Sequence, residues 1–137
     1  MSSPLAGKKQ ALSEVARQAC RHSYAPYSQF PVGAAVLTDS GNIVAGCNVE
    51  NASLGLTCCA ERVALFQAIS QGARRIVALA IYTPTATPTA PCGACRQVLQ
   101  EFGPQATIIS LCDSEEVLET SLADLLPAPF PTNRSKD

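Results

Sequence analysis

The sequence has no apolar run approaching the roughly 20 residues that would span a bilayer. Its first ten residues, MSSPLAGKKQ, contain no apolar stretch of the kind that marks a signal peptide. These two absences lead to the expectation of a cytoplasmic protein with no membrane role. There is no basic stripe either. The basic residues are scattered, as in Lys8–Lys9, Arg74–Arg75 and Arg134–Lys136, and the net charge is −1. A protein that grips a phosphate backbone concentrates its positive charge, so no nucleic-acid partner is expected. Charge of either sign is scarce, at 15% of residues against 47% hydrophobic. That balance predicts apolar surface buried between subunits. No internal repeat is present. The length of 137 residues fits a single domain over 1–137, with a core of about 11–130 and an irregular tail from 127.

Cysteine is the residue that is not scarce. There are seven, an odd number. In a reducing compartment that number points away from a disulfide framework and towards metal binding or catalysis.

Periodicity supplies the elements. Leu12, Val15, Ala16, Ala19 and Cys20 have helical spacing. Two strand-like runs flank the turn sequence DSGN and predict a β-hairpin with arms near 30–38 and 42–49. CAERVALFQAISQG is apolar almost all round, which predicts a buried helix stopped by Gly72. RIVALAIYT reads as a central strand, CGACRQVLQEFG as a helix ending at Gly103, and ATIISLC as a further strand. EVLETS fits a short strand, with Ser121 capping a short helix LADLL. The order α-β-β-α-β-α-β-β-α predicts a three-layer α/β/α sandwich around a mixed five-stranded sheet. Its crossovers through the two cysteine-bearing helices are expected to be parallel and right-handed.

PCGAC places Cys92 and Cys95 three residues apart at a helix start, so both sulfurs can face one ion. A redox pair is the competing reading of such a motif. It leaves Cys59 and Glu61 unexplained. Cys59 also sits at a helix start, where the macrodipole favours a thiolate. Three thiolates would give Zn²⁺ three protein ligands and leave one position for water, the pattern of a catalytic site. Cys58 cannot readily join, because a tetrahedral centre rarely takes consecutive residues, and it is expected to pack as a small hydrophobe. Glu61, buried in an apolar helix, would need a partner such as a metal-acidified water. Otherwise it is a surface carboxylate favoured by the helix dipole. Arg62 either offsets the charge of the thiolates or stands exposed.

Cys-Ala-Glu followed by Pro-Cys-x-x-Cys resembles the zinc-dependent nucleoside and base deaminases. The likeness extends to YAPYSQFPVGAAV, GCNVENAS, CAERVALFQA, PCGACRQVLQEF and LLPAPF, from about Ala11 to Phe130. Within that group the chain resembles the small homotetrameric cytidine deaminases. The resemblance implies the cytidine deaminase-like fold, one Zn²⁺ per subunit on Cys59, Cys92 and Cys95, and Glu61 as proton shuttle. It implies hydrolytic deamination of cytidine and 2′-deoxycytidine, with active sites shared between subunits of a tetramer. Asn48 and Glu50 match the pair that meets the ribose hydroxyls, and Phe30 an aromatic that packs on the pyrimidine. Phe130 matches a tail phenylalanine that stacks on the base from a neighbouring subunit. The Ala60 N–H would meet the base carbonyl, the Ala90 carbonyl the exocyclic amine, and Arg62 the thiolates. Read without the family, Asn48 and Glu50 are ordinary turn residues, and Phe130 is a stray aromatic or an anchor.

Three features depart from the pattern. Leu54 replaces a tyrosine common near the sugar, Cys58 precedes the ligand, and the 84–91 loop is peculiar to this chain. Other readings are deamination of a polynucleotide base or of a nucleoside-like antibiotic such as blasticidin S. A structural zinc module is a fourth. Polynucleotide deaminases usually carry His-x-Glu and need a basic channel, neither of which is present. The Asn-Val-Glu-Asn stretch argues for a ribose, against the antibiotic.

Overall fold

The computed structural model describes residues 4–131. The basic pair Arg134–Lys136 and the end of the tail lie outside the described residues.

The chain order is helix α1 (Lys9–Ala19), strands β1 (Gly33–Thr38) and β2 (Ile43–Cys47), helix α2 (Ala60–Ser70) and strand β3 (Ile76–Tyr82). Helix α3 (Gly93–Phe102), strands β4 (Thr107–Leu111) and β5 (Leu118–Ser121) and the short helix α4 (Leu122–Leu125) follow. Single 3-10 turns cover Cys20–His22 and Leu54–Leu56. This is the element order that periodicity predicts. The Ser121 hydroxyl accepts from the Asp124 N–H at 3.1 Å and caps α4, as its residue type suggested.

The sheet order is β2-β1-β3-β4-β5. β1 is antiparallel to both β2 and β3, β3 is parallel to β4, and β4 is antiparallel to β5. The crossover through α2 therefore joins parallel strands across β1, and the one through α3 joins adjacent parallel strands.

Alternation along the strands sorts the core into two faces. Ala34, Val36, Leu79, Ile81 and Ile108 face α2 and α3 together with Leu65 and Leu99. Ala35, Leu37, Ala78, Ala80 and Ile109 face α1 through Leu12 and Ala16. The result is the three-layer α/β/α sandwich.

α2 lies very close to the sheet. A Cβ on Gly46 of β2 would stand 2.3 Å from the Ala64 nitrogen, so only glycine admits the helix at this depth. That approach seats the N-terminus of α2 beside the ends of β1 and β3. The helix ends at Ser70, and Gly72 just past its cap, with a φ of +106°, reverses the chain at little cost.

Two expectations need correction. β1 begins at Gly33 rather than at 30, because Pro31 has no N–H for a ladder. α2 is not buried all round in one chain: Ala60, Glu61, Ala64, Leu65 and Ala68 are buried, but Phe66 is 49% exposed. The apolar sequence of α2 serves two surfaces, only one of which is this chain's own core. Among the described residues, no helix is long and apolar enough to cross a membrane.

Candidate active site

Cys59 and Cys92 occupy equivalent places, each the residue just before the first turn of its helix. Both have extended backbone, with ψ of 152° and 166°. Neither helix receives a side-chain capping hydrogen bond there. The free N–H groups and macrodipoles of α2 and α3 thus converge on the sulfurs. Cys95 follows in the first turn of α3 and is buried.

The sulfurs of Cys59, Cys92 and Cys95 all lie within 4.8 Å of one another. Cys59 and Cys92 are 3.9 Å apart, Cys92 and Cys95 3.4 Å. Tetrahedral thiolates at about 2.3 Å from zinc would stand about 3.8 Å apart, so the spacing fits the ion.

The electrostatics make the same point. The Cys59 thiol is lowered to about 5, by hydrogen bonding from Cys95 first, with Arg62 and Cys92 assisting against burial. The Cys95 thiol is pushed far up, by the hydrogen bond it gives Cys59 and by burial. One thiolate here makes the next unfavourable, a conflict that a divalent cation removes.

Arg62 donates from Nη2 to the Cys59 sulfur at 3.5 Å. Its Nε is buried with no acceptor among the described residues. The exposed reading of Arg62 is excluded, since the side chain is only partly accessible and turns towards the sulfurs.

Glu61 is 8% exposed, in the first turn of α2. Burial raises its carboxyl, and the Cys59 thiolate adds repulsion, while its own backbone N–H, the Cys95 thiol and Arg62 act the other way. A surface carboxylate would show none of this.

Cys58 behaves differently from its neighbour. Its backbone pairs with Val49 in both directions, at 2.9 and 3.0 Å. Val49 is held on its other side by Tyr24. Residues 48–50 are thus zipped between 24 and 58, and Asn48 and Glu50 line the same cavity while Val49 is exposed. The Cys58 thiol is not in the sulfur cluster, and burial raises it.

These elements enclose a cavity of about 300 Å³. Its lining brings Cys59, Ala60, Glu61 and Cys92 together with Phe30, Asn48 and Glu50, and with Thr83, Thr89 and Ala90. Eight of the expected site residues therefore meet in one space. Cys95 and Arg62 stand against the sulfurs rather than in the lining. Phe130 is not in the lining, and its side chain is 78% exposed. Its backbone is clamped to α3, with its N–H donating to Gln97 Oε1 at 3.0 Å and its carbonyl accepting from Gln97 Nε2 at 3.2 Å. A larger groove of about 480 Å³ lies near the C-terminal end of α2, around Arg74 and Arg75. It gathers no cluster of metal ligands and no buried carboxylate, so the chemistry belongs to the smaller cavity.

The cytidine and deoxycytidylate deaminase zinc-binding region matches residues 6–111 of this chain. The chain belongs to that deaminase family. A cytidine deaminase of Halalkalibacterium halodurans is 45% identical over 130 residues, which is 94% of this chain and 98% of that protein. The crystal structure of cytidine deaminase from Burkholderia pseudomallei superposes with a TM-score of 0.85 at 49% identity, covering 89% of this chain and 98% of that one. That of Mycobacterium tuberculosis gives 0.78 at 43%, covering 90% and 97%.

Several residues that shape this deaminase site have no role that the sequence alone assigns. Ser28 donates its hydroxyl to Glu50, and Ser23 donates to Asn48. Arg96 donates to the Pro91 carbonyl at 2.7 Å and the Leu125 carbonyl at 2.9 Å, fixing the approach to Cys92. Apart from Pro91, five residues from Arg96, their partners are remote in sequence, and no spacing rule brings them together.

Proposed function

We propose that this chain is a cytidine deaminase, hydrolysing cytidine and 2′-deoxycytidine to the uridines with release of ammonia. It would carry one Zn²⁺ per subunit on Cys59, Cys92 and Cys95. The observation that carries this reading is a cluster of three sulfurs beside a buried carboxylate, where two helix N-termini meet at one cavity. Zinc bound there would polarise a water and lower its pKa towards about 7.

Glu61 then has the proton work. It takes the proton of the water that attacks C4 and passes it to N3. It transfers the second proton to the exocyclic nitrogen as the C4–N bond breaks, and ammonia leaves. A carboxyl raised by burial suits a group that must hold a proton between transfers. Ala60 is the first residue of α2, and its N–H is one that no helical carbonyl claims. It can meet the base carbonyl. The Ala90 carbonyl accepts from the exocyclic amine, and Phe30 packs on the ring. Arg62 offsets the thiolate charge.

The sugar end supports a sharper reading. Asn48 Oδ1 already accepts from Ser23 Oγ and from the Val32 N–H, and Nδ2 donates to the Phe30 carbonyl at 2.9 Å. One amide hydrogen remains. Glu50 accepts from the Tyr27 and Ser28 N–H groups and from the Ser28 hydroxyl, which together hold its carboxyl below the usual range. Little more than one lone-pair position remains, on Oε2. A single hydroxyl that accepts from Asn48 and donates to Glu50 completes both. Cytidine and 2′-deoxycytidine share the 3′-hydroxyl, so that is the group read. Turnover on one zinc-assayed preparation tests this together with the activity. Cytidine and 2′-deoxycytidine are expected within a few-fold of each other in kcat/KM. 3′-Deoxycytidine should be worse by about 10- to 100-fold, the cost of unpairing a charged hydrogen-bonding group. Good turnover of free cytosine would remove Asn48 and Glu50 from substrate recognition.

The domain reading of 1–137, the cytoplasmic location and a homotetramer with shared sites belong to the same proposal. Support for assembly comes from α2, where the buried Nε of Arg62, without a partner among the described residues, and the exposed Phe66 lie one turn apart. Phe130, exposed on a clamped backbone, supports the shared-site reading. Sedimentation is expected to give about four times the 14.3 kDa chain mass. A monomer would sink the shared-site reading.

A further inference from the structure

One wall of the cavity contains a chain of threonine hydroxyls that the deaminase reading does not use. Thr83 is fully buried just past β3. Its Oγ1 lies 2.7 Å from Thr85 Oγ1 and 3.4 Å from Thr89 Oγ1. Thr85 Oγ1 in turn donates to the Thr87 carbonyl at 2.8 Å.

A carbonyl can only accept, so the Thr85 proton is committed to Thr87. Each hydroxyl has one proton. The 2.7 Å contact then requires Thr83 to donate to Thr85. Thr83 has no second proton for Thr89, so a hydrogen bond across the 3.4 Å contact can run only from Thr89 to Thr83. The direction of the whole chain is fixed by its far end, and it runs Thr89 to Thr83 to Thr85 to the Thr87 carbonyl. Thr89 spends its proton inward and keeps only lone pairs for the cavity, where it and Thr83 both lie in the lining.

We infer that this chain makes Thr89 a specificity-determining acceptor, which favours the amine-bearing ring of the substrate over the carbonyl-bearing ring of the product. The inference rests on the deaminase reading. Thr89 precedes Ala90, whose carbonyl is already assigned to the exocyclic amine. An amine offers hydrogens to two acceptors on this wall, whereas the product's 4-carbonyl offers none and meets lone pairs. The wall therefore helps bind cytidine and disfavours uridine, so product leaves readily. The PTATPTAP loop has no regular structure to impose this polarity, and its threonines supply it.

The test measures cytidine kcat and KM, and uridine affinity by calorimetry, on zinc-assayed proteins. Thr89→Val deletes the acceptor, and cytidine kcat/KM is expected to fall about 3- to 10-fold without weaker uridine binding, the worth of one neutral hydrogen bond. Thr83→Val frees the Thr89 proton to point into the cavity, and uridine is expected to bind about 3- to 10-fold tighter. Thr83→Ser keeps the relay and should restore wild-type values. A merely structural role would not move the uridine-to-cytidine ratio in these directions. If that ratio is unchanged in the valine variants while the wild type deaminates cytidine, the inference is wrong and the deaminase reading stands. If the wild type does not deaminate cytidine, both fall. Should Thr83→Val fail to fold, the exposed Thr89→Val decides alone.

Discussion

Glu61→Gln is expected to lower kcat for cytidine by about 10⁴-fold, the upper end of what a positioned acid–base group contributes. Glutamine keeps the volume and polarity of the side chain but cannot take up a proton. The fold should tolerate it, because the carboxylate is the costlier group at this buried position, as its raised pKa indicates. Zinc content should remain at the wild-type level, since the three sulfurs that gather in the cluster do not include Glu61. Stability can even rise. A group whose pKa is raised on folding favours the folded state when protonated and opposes it when ionised, so the metal-free wild type loses stability as pH rises from the usual carboxylate range through the raised value of Glu61. Glu61→Gln removes that loss, and the gap in thermal midpoint between variant and wild type should widen from acid to neutral pH. Metal content, single-turnover rates and thermal scans together check the case. A Glu61→Gln protein with full zinc and near-normal turnover would remove Glu61 from the reaction.

Glu61 also marks how far the sequence reaches. A carboxylate two residues after a cysteine at a helix start, with a second cysteine pair downstream, is a local pattern, and local patterns survive into the structure. The helices, strands and sheet class follow from apolar periods of the same short range. Asn48 and Glu50 were legible as candidates because a period of two puts both on one side. That each has little more than one hydrogen-bonding position left was not legible. Their partners Ser23, Ser28 and Val32 come from a distant segment; the β1–β2 pairing sets Val32 beside Asn48, and the bridge of Val49 to Tyr24 brings the 23–28 segment alongside. Phe66 fails for a related reason. An all-round apolar helix predicts burial but does not say in which molecule. The threonines of the 84–91 loop show the same limit. Their residue type suggests only a polar loop, and it is the buried position of Thr83 that turns three hydroxyls into a directed chain.

Cys59→Ala is expected to reduce zinc to a small fraction of one per chain and to abolish turnover, while Cys58→Ala should keep nearly all of both. The adjacent residues differ because the backbone turns between them. Cys58 is still in an extended bridge, giving and accepting backbone hydrogen bonds with Val49. Cys59 has left that bridge, its carbonyl receiving the Val63 N–H to start α2. Side chains of successive extended residues point to opposite sides, so only one can face the sulfurs of α3. Losing Cys59 removes one of three metal ligands and the acceptor of Arg62. It would leave Cys92 and Cys95, which is too few for a tight site. The Arg62 guanidinium, with its Nε already lacking an acceptor among the described residues, would then lose its main sulfur partner and keep only Cys95, and a fall of about 1–3 kcal/mol in stability is expected. Cys58→Ala should cost less than that, because the alanine keeps the backbone bridge and removes only a partly buried thiol. Metal analysis and denaturant titration of the two variants side by side check both halves. Equal loss of zinc from both would mean that the turn between 58 and 59 does not separate the two thiols.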